Sequence, residues 1–351
     1  MTTERDTPGA GAWQTRPGSV LMVTSEWPTA DRPLQVPFIV QQVRFLRQAG
    51  VEVEVFPFRG ARSPGNYAQA WRDLQRRVRD GGHDLIHAQF GQSGALAALP
   101  KRLPLVVTFR GDDLEGIVGD DGRYLFAGRV LRRLSQLAAL RADATIVVAE
   151  HLARHLPRAP TAVIPSGIDF QTFRPLDQAE ARTQLGLPPE RKLVLFVGDP
   201  KETRKRHDLA ERATRMAGAE LVVAWGVPRE AIPVYMGACD ALVFTSMHEG
   251  SPNAVKEALA CDLPVVSVDV GDVAQRLAPV EGCVVCADDR PETVAGALRR
   301  VLDRGARVDG RNAVRDLDET ELTARIVEVY DRVLSGGRSR RRMAPVAGGR
   351  P

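Results

Sequence analysis

The chain has 351 residues, 44% hydrophobic and 26% charged, with a formal net charge of +4. That length suits two domains with separate cores. No apolar run approaches the ~20 residues that span a bilayer, which argues against an integral membrane helix. Residues 1–18 are polar, contain Glu4 and Asp6, and lack the apolar stretch of a signal peptide; the expectation is a cytoplasmic protein. The positive charge is local. Residues 335–351 carry Arg338, Arg340, Arg341, Arg342 and Arg350 and no acid, so the rest of the chain is near neutral. This Gly- and Arg-rich tail reads as disordered and solubilising, with contact to anionic lipid or nucleic acid as the alternative. Cys239, Cys261, Cys283 and Cys286 make no disulfide framework. The pair Cys283 and Cys286 has redox or metal spacing, but it stands in an apolar, strand-like run with no histidine near, and reads as structural.

In chain order, residues 20–24 read as a buried strand and 37–48 as a helix whose apolar face is Phe38, Ile39, Val40, Val43 and Leu46. Residues 51–56 return as a strand, a βαβ opening. A basic helix is expected at 66–80, a strand end at 85–88, a loop and short helix at 89–99, and a strand at 105–109. Arg110-Gly111-Asp112-Asp113 follows that strand, where open α/β sheets place ligand chemistry. Arg110 suits a sugar acid, a phosphate, or a structural pair with Asp112 or Asp113. Residues 123–141 form a basic amphipathic helix with Leu125, Phe126, Val130, Leu134 and Leu137 on one side. Packing of that side on its own sheet is expected; lying on a membrane surface is the alternative. A strand at 144–148 precedes a helix at 150–156. There His151 and His155 have zinc-ligand spacing without the glutamate of H-E-x-x-H, and no metal is expected. A strand at 162–165 leads to Ser166-Gly167-Ile168-Asp169.

The second half opens with a strand at 193–197 and a loop at 198–206, Gly-Asp-Pro-Lys-Glu-Thr-Arg-Lys-Arg, before a helix at 208–216. A glycine and several cations at a strand-to-helix turn suit a diphosphate; a solvated charge cluster is the alternative. Further elements are a strand at 221–225, a tight loop Gly226-Val227-Pro228, and a helix at 232–238. The run from 241 to 268 is the centre of the reading. Residues 241–245 are a strand and 246–250 a polar loop. Ser251 is expected to cap a helix at 253–260 with Pro252 at its start, and 265–268 is the next strand. An open helix N-terminus suits phosphate. Glu249 and Glu257 flank it, either as acceptors for sugar and ribose hydroxyls or as ordinary solvated glutamates. A strand at 282–287 and helices at 291–303 and 319–334 complete the chain.

Glu249-Gly-Ser-Pro-Asn, Glu257-Ala-Leu-Ala and Pro264-Val-Val resemble the E-x7-E signature of retaining GT-B glycosyltransferases of family 4. The likeness runs from about residue 19 to 334. It implies an α/β protein of the GT-B class, two Rossmann-like doubly wound domains facing across a cleft. The boundaries are a disordered start 1–18, an acceptor-binding domain 19–176, a linker region 177–191, a nucleotide-sugar domain 192–318, a helix 319–334 returning to the first domain, and a basic tail 335–351. Ser166-Gly-Ile-Asp resembles the family's Asn-Gly-Val-Asp signal. Three positions depart from the family pattern: Val36-Pro37 replaces a glycine, Arg110 a histidine and Asp199 an arginine.

The resemblance further implies a retaining transfer from a nucleotide-diphosphate sugar, without metal or other cofactor, to an acceptor that is a glycan, a lipid-linked intermediate or a small molecule. Glu249, with Arg110, would act on the donor sugar. Glu257 would hold ribose, and Lys205 with Lys201 or Arg204 the diphosphate. Gly198, Val227, Gly250, Ser251, Pro252 and Asn253 would line the donor site. Peripheral contact with the inner face of an anionic membrane is the alternative to a free cytoplasmic protein; nucleic acid is not expected as a partner. A P-loop and G-x-G-x-x-G are both missing from the sequence. The alternatives are a non-catalytic GT-B scaffold for a partner glycosyltransferase or glycan, and another nucleotide-sugar enzyme such as an epimerase.

Overall fold

The structure is a computed structural model describing residues 18–60, 63–117, 119 and 125–342. Residues 1–17 of the expected disordered start and the last nine residues of the tail lie outside the described residues. The first unit runs β1 (Ser19–Thr24), α1 (Pro37–Gln48), β2 (Glu52–Pro57), α2 (Pro64–Asp80), β3 (Leu85–Gln89), α3 (Gly91–Ala97), β4 (Leu105–Phe109), α4 (Asp112–Glu115), α5 (Phe126–Arg141), β5 (Ala144–Val147) and β6 (Ala162–Val163). The second runs α6 (Gln178–Leu185), β7 (Leu193–Val197), α7 (His207–Met216), β8 (Glu220–Ala224), α8 (Ile232–Ala238), β9 (Ala241–Phe244), α9 (Asn253–Ala260), β10 (Val265–Val268), α10 (Val273–Leu277), β11 (Val284–Cys286), α11 (Pro291–Arg304) and α12 (Gly310–Ala313), before α13 (Glu319–Arg342).

Each unit holds one parallel sheet, ordered β2-β1-β3-β4-β5-β6 and β11-β10-β9-β7-β8. The strand order of both sheets reverses beside the first strand, so the crevice at the strand C-terminal ends is a ready ligand site. Helices on both faces bury the strands, which is why Val20–Val23 and Val194–Phe196 are near-continuous apolar runs.

The two units are joined by more than covalent linkage. Ile168 N donates to Leu317 O at 2.7 Å and Glu319 N to Ile168 O at 3.0 Å, so the outward and returning chain crossings are bonded to each other. α13 then packs on α1 of the first unit. Its fully buried Tyr330 hydroxyl meets His87 Nδ1 at 2.6 Å beneath the first sheet, and burial pushes the His87 imidazole down to about 3.

Several expectations need correction. α1 buries Ile39, Val43 and Leu46 together with Gln41 and Gln42, whereas Val40 is exposed. Gln41 and Gln42 are buried because they bond Glu319 and Gln89. Residues 150–155 form a 3-10 turn rather than an α-helix. Helix α6 packs on α8, and buried Arg182 bonds Asp240 and the Ala238 carbonyl, so residues 178–185 fold with the second unit rather than as a linker. α13 continues to Arg342, eight residues past its expected end, with no proline in residues 319–342 to stop it.

Helix α5 packs differently from expectation, and its expected start at Arg123 lies outside the described residues. Its buried positions are Gly128, Ser135 and Ala138. A Cβ on Gly91 would fall 1.8 Å from Ser135 Oγ, and one on Gly94 3.2 Å from Ala138 Cβ. Helices α3 and α5 therefore meet through small residues, backbone close to backbone. The side expected to pack, with Leu125, Phe126, Val130, Leu134 and Leu137, is exposed.

Candidate active site

The cleft lies between the strand ends of the two sheets. At its floor Gly111 and Gly250 touch: a Cβ on Gly250 would stand 2.6 Å from the Arg110 carbonyl oxygen, and one on Gly111 3.6 Å from Gly250 Cα. Gly111 has φ 146, which glycine tolerates best. Buried Asp113 fixes this turn by accepting from the amides of Arg110 and Gly111 at 3.0 Å and Gly91 at 2.9 Å. The Arg110 guanidinium does not pair with Asp112 or Asp113. It donates to Gln89 Oε1 at 2.8 Å and Ser166 Oγ at 2.8 Å and stacks over Phe38. Burial draws it down to about 10, still cationic at neutral pH. Its hydrogen-bonding partners are neutral, the Glu319 and Asp113 carboxyls lie close enough to favour its charged form, and the side chain lines the cleft.

Opposite stands the loop from β9 into α9. Pro252 is the N-cap position, and the Ser251 hydroxyl does not cap the helix. It donates instead to Asp272 Oδ2 at 2.8 Å and accepts from Lys256 Nζ at 3.2 Å. These ionic partners outcompete the weaker capping bond. Lys256 is buried, and burial lowers its ammonium to about 8; it also donates to the Ser166 carbonyl at 3.1 Å. Ser166 thus receives Arg110 on its hydroxyl and Lys256 on its carbonyl, linking both sides of the cleft.

Each candidate glutamate meets a cation. Lys205 Nζ lies 2.5 Å and Arg204 Nη1 3.5 Å from Glu249 Oε1. Arg229 Nη2 lies 2.6 Å from Glu257 Oε1, and its guanidinium also stacks over Phe173. Glu257 is buried on the fifth residue of α9, one turn from its start. The cleft has a volume of about 600 Å³ and brings Gly198, Arg204, Lys205, Glu249, Gly250, Ser251, Pro252, Asn253 and Glu257 together with Arg110. Asn253 Oδ1 is buried there without a hydrogen-bond partner among the described residues. Val227 lies in an adjoining recess of about 460 Å³ that shares Gly198, Trp225, Arg229 and Glu257 with the cleft. Lys201 is the exception: its backbone amide bonds Asp199 Oδ1 at 2.9 Å in a local turn, and its exposed side chain does not line the cleft.

Residues 10–172 match the family model described as Glycosyltransferase Family 4, and residues 183–304 match that described as Glycosyl transferases group 1. A Bacillus subtilis protein described as a teichuronic acid biosynthesis glycosyltransferase, TuaC, is 25% identical over 325 aligned residues, spanning 73% of this chain and 82% of its own. The chain belongs to the GT-B glycosyltransferases. Among solved structures, a sucrose-phosphate synthase from Thermosynechococcus elongatus superposes with a TM-score of 0.77 at 17% identity, covering 91% of this chain and all of its own. Anabaena HepE, solved in complex with UDP and glucose, gives 0.68 at 18% identity, covering 90% and 99%. At these identities the likeness establishes the fold.

The glycosyltransferase also carries groups at the cleft that the sequence reading passed over. Arg229 opens a 3-10 turn, Arg229–Ala231, and nothing in its spacing points to Glu257. His248 precedes Glu249 and crosses the cleft, with Nε2 3.3 Å from Asp112 Oδ1 and 3.5 Å from Glu115 Oε2. The Asp112 carboxylate holds the His248 imidazole above its ordinary range. His151 and His155, flagged by their spacing, both approach Glu115 Oε1, at 3.7 and 3.8 Å; among the described residues no cluster fit for a metal ion forms. Glu319, bonded by Gln41 at 2.7 Å, is buried at the return crossing, and burial raises it to about 7.

Proposed function

We propose that this glycosyltransferase takes its sugar from a nucleotide-diphosphate donor, transfers it with retention and works without metal. The observation that carries the reading is the pairing of both signature glutamates with cations inside one cleft: Glu249 with Lys205, Glu257 with Arg229. Arg110, Arg204 and Lys205 supply fixed positive charge where a divalent ion would otherwise neutralise a diphosphate. The amides at the start of α9 add partial positive charge on the same wall. Negative charge grows on the leaving diphosphate in the transition state, so preorganised cations there lower the barrier more than they tighten ground-state binding. Glu257 accepts from ribose hydroxyls and Arg229 fixes its orientation. Glu249, held by Lys205, orients the donor sugar, with Arg110 lining the same cleft from the first unit. The Val227 recess takes the base. That HepE was solved with UDP and glucose supports a uridine donor as the first to test.

The test is thermal stability of the full chain against UDP-, GDP-, ADP- and dTDP-sugars in excess EDTA. A true donor at ~100 times its dissociation constant stabilises by roughly 2.7 kcal/mol. The shift should appear with one base and vanish in Glu257→Ala. The anomeric configuration of the product, read by NMR, should match the donor. A folded protein that responds to none of the four, or only after metal is restored, refutes the corresponding part of the proposal.

A further inference from the structure

Helix α5 presents a surface that the donor site does not use. Among the described residues, six of the twelve large hydrophobic side chains that remain exposed lie between 125 and 140: Leu125, Phe126, Val130, Leu134, Leu137 and Leu140. At 100° per residue, Phe126, Val130, Leu134, Leu137 and Leu140 share one continuous face. Arg129, Arg133 and Arg141 are exposed on or beside that face, and the helix contains no acid. The opposite face is already closed, through Gly128, Ser135 and Ala138 against its neighbours. The stripe is therefore not a core face awaiting a slightly different packing.

We infer that this face docks on an anionic lipid bilayer. An apolar stripe flanked by arginines is the pattern of a helix lying in the interfacial plane, its apolar side among the acyl chains and its cations at the headgroups. Charge decides against a second copy of the chain as the occupant. Two copies meeting on a shared axis would face arginine against arginine, with no acid on either helix to compensate. None of the described helices is long and apolar enough to cross a membrane, so the contact is peripheral. Leu131, on the same helix, lines the active-site cleft; docking the stripe brings the first-unit wall of the cleft to the lipid surface.

The test is flotation of the full-length protein with vesicles of one-third phosphatidylglycerol in phosphatidylcholine, compared with pure phosphatidylcholine. No sugar donor is present, so the result is independent of the catalytic reading. Wild type should float with the anionic vesicles and less so in high salt. Arg129→Gln with Arg133→Gln should lower partitioning by about fivefold for each cation removed. Phe126→Ser with Leu137→Ser, both on exposed side chains and therefore without effect on the melting temperature, should abolish it. Three results would overturn the inference. One is no flotation of wild type. Another is flotation unchanged in the Phe126/Leu137 variant, which would leave the binding to the basic C-terminal segment. The third is a wild-type dimer by light scattering that becomes monomeric in that variant, which would make a second copy the occupant.

Discussion

Replacing Arg229 with glutamine tests how the cleft holds Glu257. The pair is close, 2.6 Å, with Glu257 buried and the Arg229 side chain 18% exposed. Removing one partner of a fully buried ion pair costs about 3–5 kcal/mol, because the other charge is stranded. Partial exposure of Arg229 means part of its charge is already solvated, which brings the expected loss to about 2 kcal/mol. For a domain of this size a melting temperature moves about 2–4 °C per kcal/mol, so Arg229→Gln should melt roughly 5 °C below wild type. The deciding assay is a double-mutant cycle. In a Glu257→Gln background no charge is stranded, and losing Arg229 should cost about 1–2 kcal/mol less than in wild type. Equal losses in both backgrounds would refute the argument: the arginine would then act through Phe173 and Gln41, which it also touches, and not through the carboxylate.

Other consequences are as direct. Gly250→Ala places a methyl group 2.6 Å from the Arg110 carbonyl and should wedge the cleft floor apart, lowering kcat more than stability; an unchanged turnover would show that the two units do not meet there during catalysis. His248 has a raised folded pKa, so its contact with Asp112 stabilises fully below the unfolded value of about 6.5 and is lost as pH rises through the folded value. Melting of wild type and His248→Gln should therefore differ most in mild acid and converge in alkali. Glu319 is also raised, to about 7, so its contribution is full below about 4.3 and lost as pH rises through about 7. Relative to Glu319→Gln, wild type should lose stability across that interval, and a flat difference would show the carboxyl is solvated.

Much of the fold was legible because parallel strands advertise themselves. Residues 105–109 and 193–197 are apolar without alternation, and the structure has strands with those bounds. Helix α9 was equally plain, its start marked by Ser251-Pro252 and its end by Leu263-Pro264. What the sequence could not show was which of two competing uses a residue would take. Ser251 has the chemistry of a cap, but Asp272, twenty-one residues away, claims its hydroxyl. Lys201, Arg204 and Lys205 are equally basic; the 3-10 turn at 203–205 and the left-handed Arg206 aim two inward and leave Lys201 out. In α5 the hydropathy pattern marks a face correctly and misassigns its partner. Small residues pack by closeness of backbones, which carries no hydrophobic signal, so hydropathy alone points to the large side chains as the core. Arg229 was illegible for a related reason: its partner is set by the fold of a loop against a helix, not by spacing.

The bonded crossings at Ile168 and Asp318 bear on how such a cleft can open. Two independent connectors would let the units twist and slide as well as gape. Stitched side by side they behave as one pin, which leaves a single soft rotation. Under that rotation displacement grows with distance from the pin. Gln41, bonded to Gly167 and Glu319 beside it, and Arg229, which reaches Gln41, ride close to the axis and change little. His248 and Asp112 meet across the gap with no such tether to the axis, and their contact is the latch such a rotation must undo. Glu257 and Arg229 thus sit at the still end of the lever, and His248 and Asp112 at its moving end.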